Sequence, residues 1–149
     1  MAPFFVLVGL FAAFAILGSI GIPVDFGWRT ALRFALSGMF LLTASAHWGK
    51  RRSDLVRMVP PSFPRAEMLV TLTGILEVLG ALGLLLPFTA RLAALGLFLM
   101  LLAVFPANIR AAREHLTIGE REATPLPVRT LLQIVFLGAT FGVFIAPGR

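Results

Sequence analysis

The chain has 149 residues, of which 58% are hydrophobic and only 13% charged. With a mean hydropathy of +0.94, it carries more apolar surface than one soluble domain of this size can hide, so residues 1–149 read as a single membrane domain. The net charge of +6 does not describe a nucleic-acid reader, because the basic residues cluster in the links between long apolar runs. The lack of cysteine excludes dithiol relays, iron–sulfur clusters and thiolate metal sites.

A helix needs about 20 mainly apolar residues to cross the hydrocarbon core. Five runs approach this length, 4–22, 30–48, 68–86, 92–109 and 130–146, and they predict an all-α integral membrane helical bundle. The first run has no charge. It lacks a basic leader and is longer than a signal-peptide core, so it reads as a retained helix, ended by Pro23. The second is interrupted only by Arg33 and His47, and Trp28 and Trp48 bracket it at the interfaces. The link that follows, KRRSDLVRMVPPSFPRAE, predicts a short helix capped by Ser53 or Asp54, running through Val59 and stopped by Pro60 and Pro61. Its apolar and basic sides suit either a solvated loop or a segment lying on an anionic leaflet.

The third run contains one carboxylate, Glu77, among Gly74, Gly80, Ala81 and Gly83, and Pro87 ends it. The fourth contains Pro106, whose missing N–H frees the Leu102 carbonyl and predicts a kink. The next link, RAAREHLTIGEREATPLP, reads as plain connecting chain. The fifth run carries Gly138 and Gly142 in a GxxxG pattern suited to close helix approach and is followed by Pro147. Lys50, Arg51, Arg52, Arg57, Arg65, Arg110, Arg113, Arg121 and Arg129 lie on the side of the N-terminus. They outnumber Arg29, Arg91 and Arg149, with Arg33 just inside the core, on the other. The positive-inside rule then places the protein in the cytoplasmic (inner) membrane, with the N-terminus inside and the C-terminus outside.

Most intramembrane polar residues fall in the half nearest the basic links. Counted at about 1.5 Å per residue, Thr73 lies about 9 Å and Glu77 about 15 Å from that face. His47 and Thr43 come from the second run, Asn108 from the end of the fourth and Gln133 from the start of the fifth. Helical spacing puts Arg33, Leu36, Phe40, Thr43 and His47 on one stripe, and Thr73, Glu77 and Ala81 on another. An ionised side chain near the bilayer centre costs about 2.5–3.5 kcal/mol, so Glu77 should face protein or water. The candidate ligand or proton site is therefore Glu77, His47, Arg33, Asn108, Gln133, Thr73 and Thr43. Structural alternatives stay open for several of these: a Glu77–Arg33 ion pair, a snorkelling Arg33, an interfacial His47, a helix-end cap by Asn108 and a helix-bridging Gln133. Two histidines, one of them in a charged link, make no metal or haem site.

Five pieces together resemble the DoxX/DoxD-like family of small membrane proteins: Arg33 followed by SGMFLLTASAHW, then MVPPSFP, LTGILEVLGALGLLLPFTAR, VFPANI and VRTLLQ. The resemblance covers about residues 29–146. It implies four core transmembrane helices with the first run as an N-terminal addition, and Arg33, His47, Glu77, Asn108 and Gln133 as the polar positions of its motifs. It also implies an accessory membrane subunit of a redox system, rather than a stand-alone enzyme, with quinone as a lipophilic, non-covalent ligand. The expected partners are the lipid bilayer, a redox partner protein and a second copy of the chain, with no nucleic acid. A small proton-coupled transporter using Glu77, and a non-catalytic anchor or scaffold, are the alternatives.

Overall fold

The computed structural model describes residues 1–20, 27–119 and 121–146. Pro23 and Pro147, expected to end two helices, and Arg149 lie outside the described residues. The fold is all-α apart from one minimal hairpin. Its elements are α1 (Ala2–Ser19), α2 (Trp28–Ser45), α3 (Arg52–Met58), α4 (Ala66–Leu85), α5 (Ala90–Arg113), β1 (Thr117–Ile118), β2 (Arg121–Glu122) and α6 (Leu126–Ile145). Among the described residues four helices, α1, α4, α5 and α6, are long and apolar enough to cross a membrane.

The second expected span forms as α2, but it is not among those four. Arg29, Arg33, Ser37 and Thr43 dilute its apolar character, and its position explains why that is tolerated. It packs on α1 and α4 and touches α6, while α4 packs on α5 and α5 on α6. The helices α2, α4, α5 and α6 thus close a ring of four, and α1 lies outside it against α2. Buried positions run down α2 from Ala31 through Ala35, Leu36, Met39 and Phe40 to Ala44, whereas α1 buries Leu7 alone. The outer faces stay apolar, with Leu72, Leu79, Leu92, Leu99, Leu131 and Ile134 exposed, as a lipid-facing surface requires.

Hydrocarbon gives apolar helices little reason to associate, so packing and interhelical hydrogen bonds hold such a bundle. The α2–α4 pair shows both. Ser37 Oγ donates to the Ala81 carbonyl at 2.9 Å, and Arg33 donates from Nε to Leu84 O and from Nη2 to Leu85 O, each at 2.8 Å. The last carbonyls of a helix have no intrahelical partner. Here Arg33 takes two of them, and the Thr89 hydroxyl takes a third, that of Gly83, at 2.8 Å. A cation at this end also suits the helix dipole. Arg33 is therefore a cap on the C-terminus of α4, neither an ion-pair partner of Glu77 nor part of its site.

Small residues matter where helices cross. A Cβ on Gly83 would lie 2.8 Å from Ala93 Cβ, so glycine sets the α4–α5 approach there. The expected role of the GxxxG pair is not seen among the described residues. A Cβ on Gly138 would meet nothing within 4 Å, and one on Gly142 only Leu32 Cδ2 at 3.8 Å. Helix α5 runs unbroken through Pro106 to Arg113, beyond the expected end at 109.

Replacing Arg33 by leucine should leave two part-buried carbonyls without their donor, at up to about 1–3 kcal/mol each. The melting temperature in detergent should fall accordingly. Lysine, a single-point donor, should recover only part of the loss.

Candidate functional site

The inward face of α4 carries Val70, Gly74, Ala81 and Leu84, all buried. Their 4-7-3 spacing leaves a gap in that stripe, and Glu77 fills it. Its side chain is 12% exposed, so the carboxyl is turned into the ring and away from lipid. Thr43, in the last turn of α2, lies opposite and its Oγ1 is 2.7 Å from Glu77 Oε2.

His47 follows α2 in a turn rather than ending the helix, which stops at Ser45. The turn folds back far enough to bring Nδ1 to 3.3 Å from Thr43 O and 3.9 Å from Glu77 Oε2. Two features hold it there. Arg52 donates from Nη1 to His47 O and from Nη2 to Thr71 Oγ1, both at 2.9 Å, and so fastens the turn to α4. Gly74 leaves the space in which the imidazole lies, since a Cβ there would be 2.7 Å from His47 Cβ and 2.9 Å from the Trp48 ring. Thr73 is closer to the start of α4 and bonds its own helix at Leu69 and Val70.

Asn108 and Gln133 meet on the other side of the ring. Because α5 continues past it, Asn108 is not the helix-end cap that was one reading of the sequence. Its Nδ2 donates to Gln133 Oε1 at 3.5 Å, and Arg129 Nη1 donates to its Oδ1 at 2.8 Å. Gln133 is buried, 6% exposed, and its Nε2 donates to Leu101 O at 2.5 Å, bridging α5 and α6.

Between these two groups lies a cavity of about 820 Å³ lined by Thr43, His47, Thr73, Glu77, Asn108 and Gln133. The remaining lining is largely apolar and includes Leu42, Val70, Val104 and Phe136. Six of the seven predicted residues thus share one space, and Arg33 is the exception. Arg52 and Arg129 are the positioning residues that sequence reasoning left among the link charges. Their signal was adjacency, each sitting within a turn or so of a candidate residue.

The links roof the cavity. Leu55 and Met58 of α3, with Val59, Pro60 and Ile118, line it from the loop side. The apolar face of α3 is therefore committed to the protein interior. Neither Ser53 nor Asp54 caps this helix, whose N-cap position is Arg51. Asp54 instead accepts the Gly119 N–H at 2.9 Å, and Arg57 donates to both Asp54 and Thr117 O. The second link is thus not plain connecting chain: Gly119, at φ +57°, turns a two-residue hairpin that Asp54 holds. The Gly119 amide keeps the Asp54 carboxyl below its ordinary value; desolvation opposes this, and the Arg57 and Arg51 guanidiniums reinforce it.

Two outcomes are expected. Gly74→Ala should push the His47 turn off α4 and raise solvent access to Trp48, seen as a red shift of its emission in a Trp28→Phe background. A depressed carboxyl lends its stability above the unfolded-state value, near pH ~3.9, and loses it as pH falls through the folded value. A spin label on Ile118→Cys, the sole cysteine in that variant, should be immobile near neutrality, loosen below about pH 4, and be mobile throughout in Asp54→Ala.

No curated protein and no solved structure matches this chain. A family model does, over residues 36–141, from the middle of α2 to the last turns of α6, and so across most of the ring and all six candidate residues that line the cavity. The chain belongs to the family described as a domain of unknown function, DUF8561.

Proposed function

We propose that this protein is a membrane-embedded binding subunit that holds a quinone-like or other lipophilic ligand in the cavity beside Glu77, as an accessory component of a redox system. The observation that carries the reading is convergence. Polar side chains from α2, α4, α5, α6 and the turn after α2 border one space whose remaining lining is largely apolar, with Lys50 and Arg51 at the basic end. Ligand sites of about 300–1,000 Å³ typically combine an apolar lining with a few placed polar groups. The resemblance of five sequence pieces to DoxX/DoxD-like proteins points in the same direction.

In this reading the apolar lining takes a ring or tail without a desolvation cost. Glu77 and Thr43 fix one polar edge and stand ready to exchange a proton with it. The basic end of the bundle faces the cytoplasm, as the positive-inside rule requires. Exposed Lys50, Arg51 and Arg57 then offer a surface to a partner protein. The other end of the ring is filled by Leu36, Met39, Leu84 and Leu97. A packed outer half favours holding a ligand over passing one across, and so places the transporter alternative second.

A photoreactive quinone analogue added to the protein in lipid nanodiscs should label peptides containing Thr43–His47 and Thr73–Glu77. An excess of unlabelled quinone should protect them. Labelling that is confined to the lipid-facing residues of α1 and α6, or that excess quinone leaves unchanged, would reject the site.

A further inference from the structure

Most of the basic side chains around the loop end of the cavity are engaged by the protein itself. Arg52 donates to His47 O and Thr71, and Arg57 to Asp54 and Thr117 O. Arg110 donates to Val59 O and Glu114, and Arg129 to Thr124 O and Asn108. Lys50 and Arg51 differ. Both line the cavity and both are exposed. Neither side chain makes an ion pair or a hydrogen bond among the described residues. Arg51 adds to the field on Asp54, but that carboxylate is already met by the Gly119 N–H and by Arg57. Two uncommitted cations therefore stand at the mouth of an otherwise largely apolar space.

Charge is ordered along this space. The cations stand next to Trp48, which is exposed and of the type that marks a membrane interface. Glu77, the one acidic residue of the lining among the described residues, lies about 15 Å in from that face. Beyond it the ring is closed by Met39, Leu84 and Leu97. Leu42, Met58, Val70, Val104 and Phe136 supply apolar wall. The polar groups at the inner end already have partners: Thr43 and Glu77 bond each other, Gln133 bonds Leu101 O, and Asn108 bonds Arg129. A run of methylenes beside them breaks none of these bonds. An anion at that depth would face Glu77, whereas at the mouth it meets Lys50 and Arg51.

We infer that the cavity takes a single-chain amphiphile with an anionic head group, a carboxylate or a phosphate monoester. The head lies beside Lys50 and Arg51, and the chain runs along the apolar wall toward Glu77. The inference rests on the reading of this space as a lipophilic-ligand site and names the head group that site takes. A free fatty acid and a lysophosphatidate are two sources of the same chemistry. Until such a ligand is bound, the two cations remain part of the exposed basic surface.

The test is quenching of Trp48, whose ring lies 6.1 Å from that of His47, in the full-length Trp28→Phe protein. The protein is held in phosphatidylcholine nanodiscs at about pH 9, where a membrane-borne carboxyl is ionised and lysine is still charged. The probes are brominated stearate, its methyl ester and a brominated lysophosphatidate, each competed by its unbrominated form to isolate the saturable part. The two anions should bind about fivefold more tightly than the ester, the effect of one partly shielded ion pair. Lys50→Gln combined with Arg51→Gln should abolish that preference and leave the affinity for the ester unchanged. Arg65→Gln combined with Arg113→Gln removes the same charge from exposed residues outside the lining and should leave the preference in place. Tighter binding of stearate identifies a free fatty acid as the source, tighter binding of lysophosphatidate a phospholipid, and either supports the inference. Equal binding of all three, or a preference that the second pair of substitutions also removes, would overturn the anionic head site and leave the cavity reading intact. No competed quenching by any probe would overturn the inference, and the cavity reading falls with it if quinone also fails to protect against photolabelling.

Discussion

The architecture depends on where its least apolar helix sits. In hydrocarbon every polar group must be satisfied from within the protein. Helix α2 carries two arginines, two serines and two threonines, and Arg33, Ser37 and Thr43 bond to α4. The solution is to place α2 between α1 and the other three helices of the ring, and to let α4 supply partners for Arg33, Ser37 and Thr43. The pairing follows an antiparallel register: Arg33 with Leu84 and Leu85, Ser37 with Ala81, Thr43 with Glu77. Three contacts along one seam fix the relative height of the two helices. They also decide that Glu77 meets a hydroxyl rather than lipid.

That register explains what the amino-acid sequence disclosed and what it did not. Five apolar runs are visible from length and hydropathy alone, and helical spacing put Thr43 and Glu77 on faces that could meet. Spacing along a single helix also grouped Arg33 with them, and there it misled. Arg33 does share a face with Thr43, but ten residues of α2 separate them, about 15 Å. In an antiparallel pair that distance is carried to the far end of α4. A stripe gives direction, whereas a site needs height as well.

Other differences have local causes. Asn108 looked like the end of a helix because the hydrophobic run stops there, yet α5 continues as a polar helix to Arg113. Pro106, where a kink was expected, lies inside a helix that runs on without a break. The hairpin at Thr117–Glu122 was invisible because two-residue strands have no period, and only Gly119 marked the turn. Arg52 and Arg129 were legible as charges but not as supports, since nothing in a run of basic residues says which of them folds inward. The GxxxG pair is the reverse case, a motif with a known use that the contacts among the described residues leave unemployed.

The cavity and the cap have different tolerances. The cap is rigid chemistry, in which a fork of donors meets two fixed carbonyls. The cavity is bordered by a turn, a short helix and a hairpin, joined by a few exposed hydrogen bonds such as those at Asp54. Regions held this way open at lower free energy than a packed core. Stability and access are thus assigned to opposite ends of the same ring.

The seam also constrains biogenesis. Arg33 is 51 residues upstream of the first carbonyl that receives it, so during synthesis its helix emerges before its partner exists. A lone α2 in lipid would carry an unsatisfied guanidinium. The two helices are therefore expected to enter the bilayer together, with the early one waiting at the interface until the late one arrives.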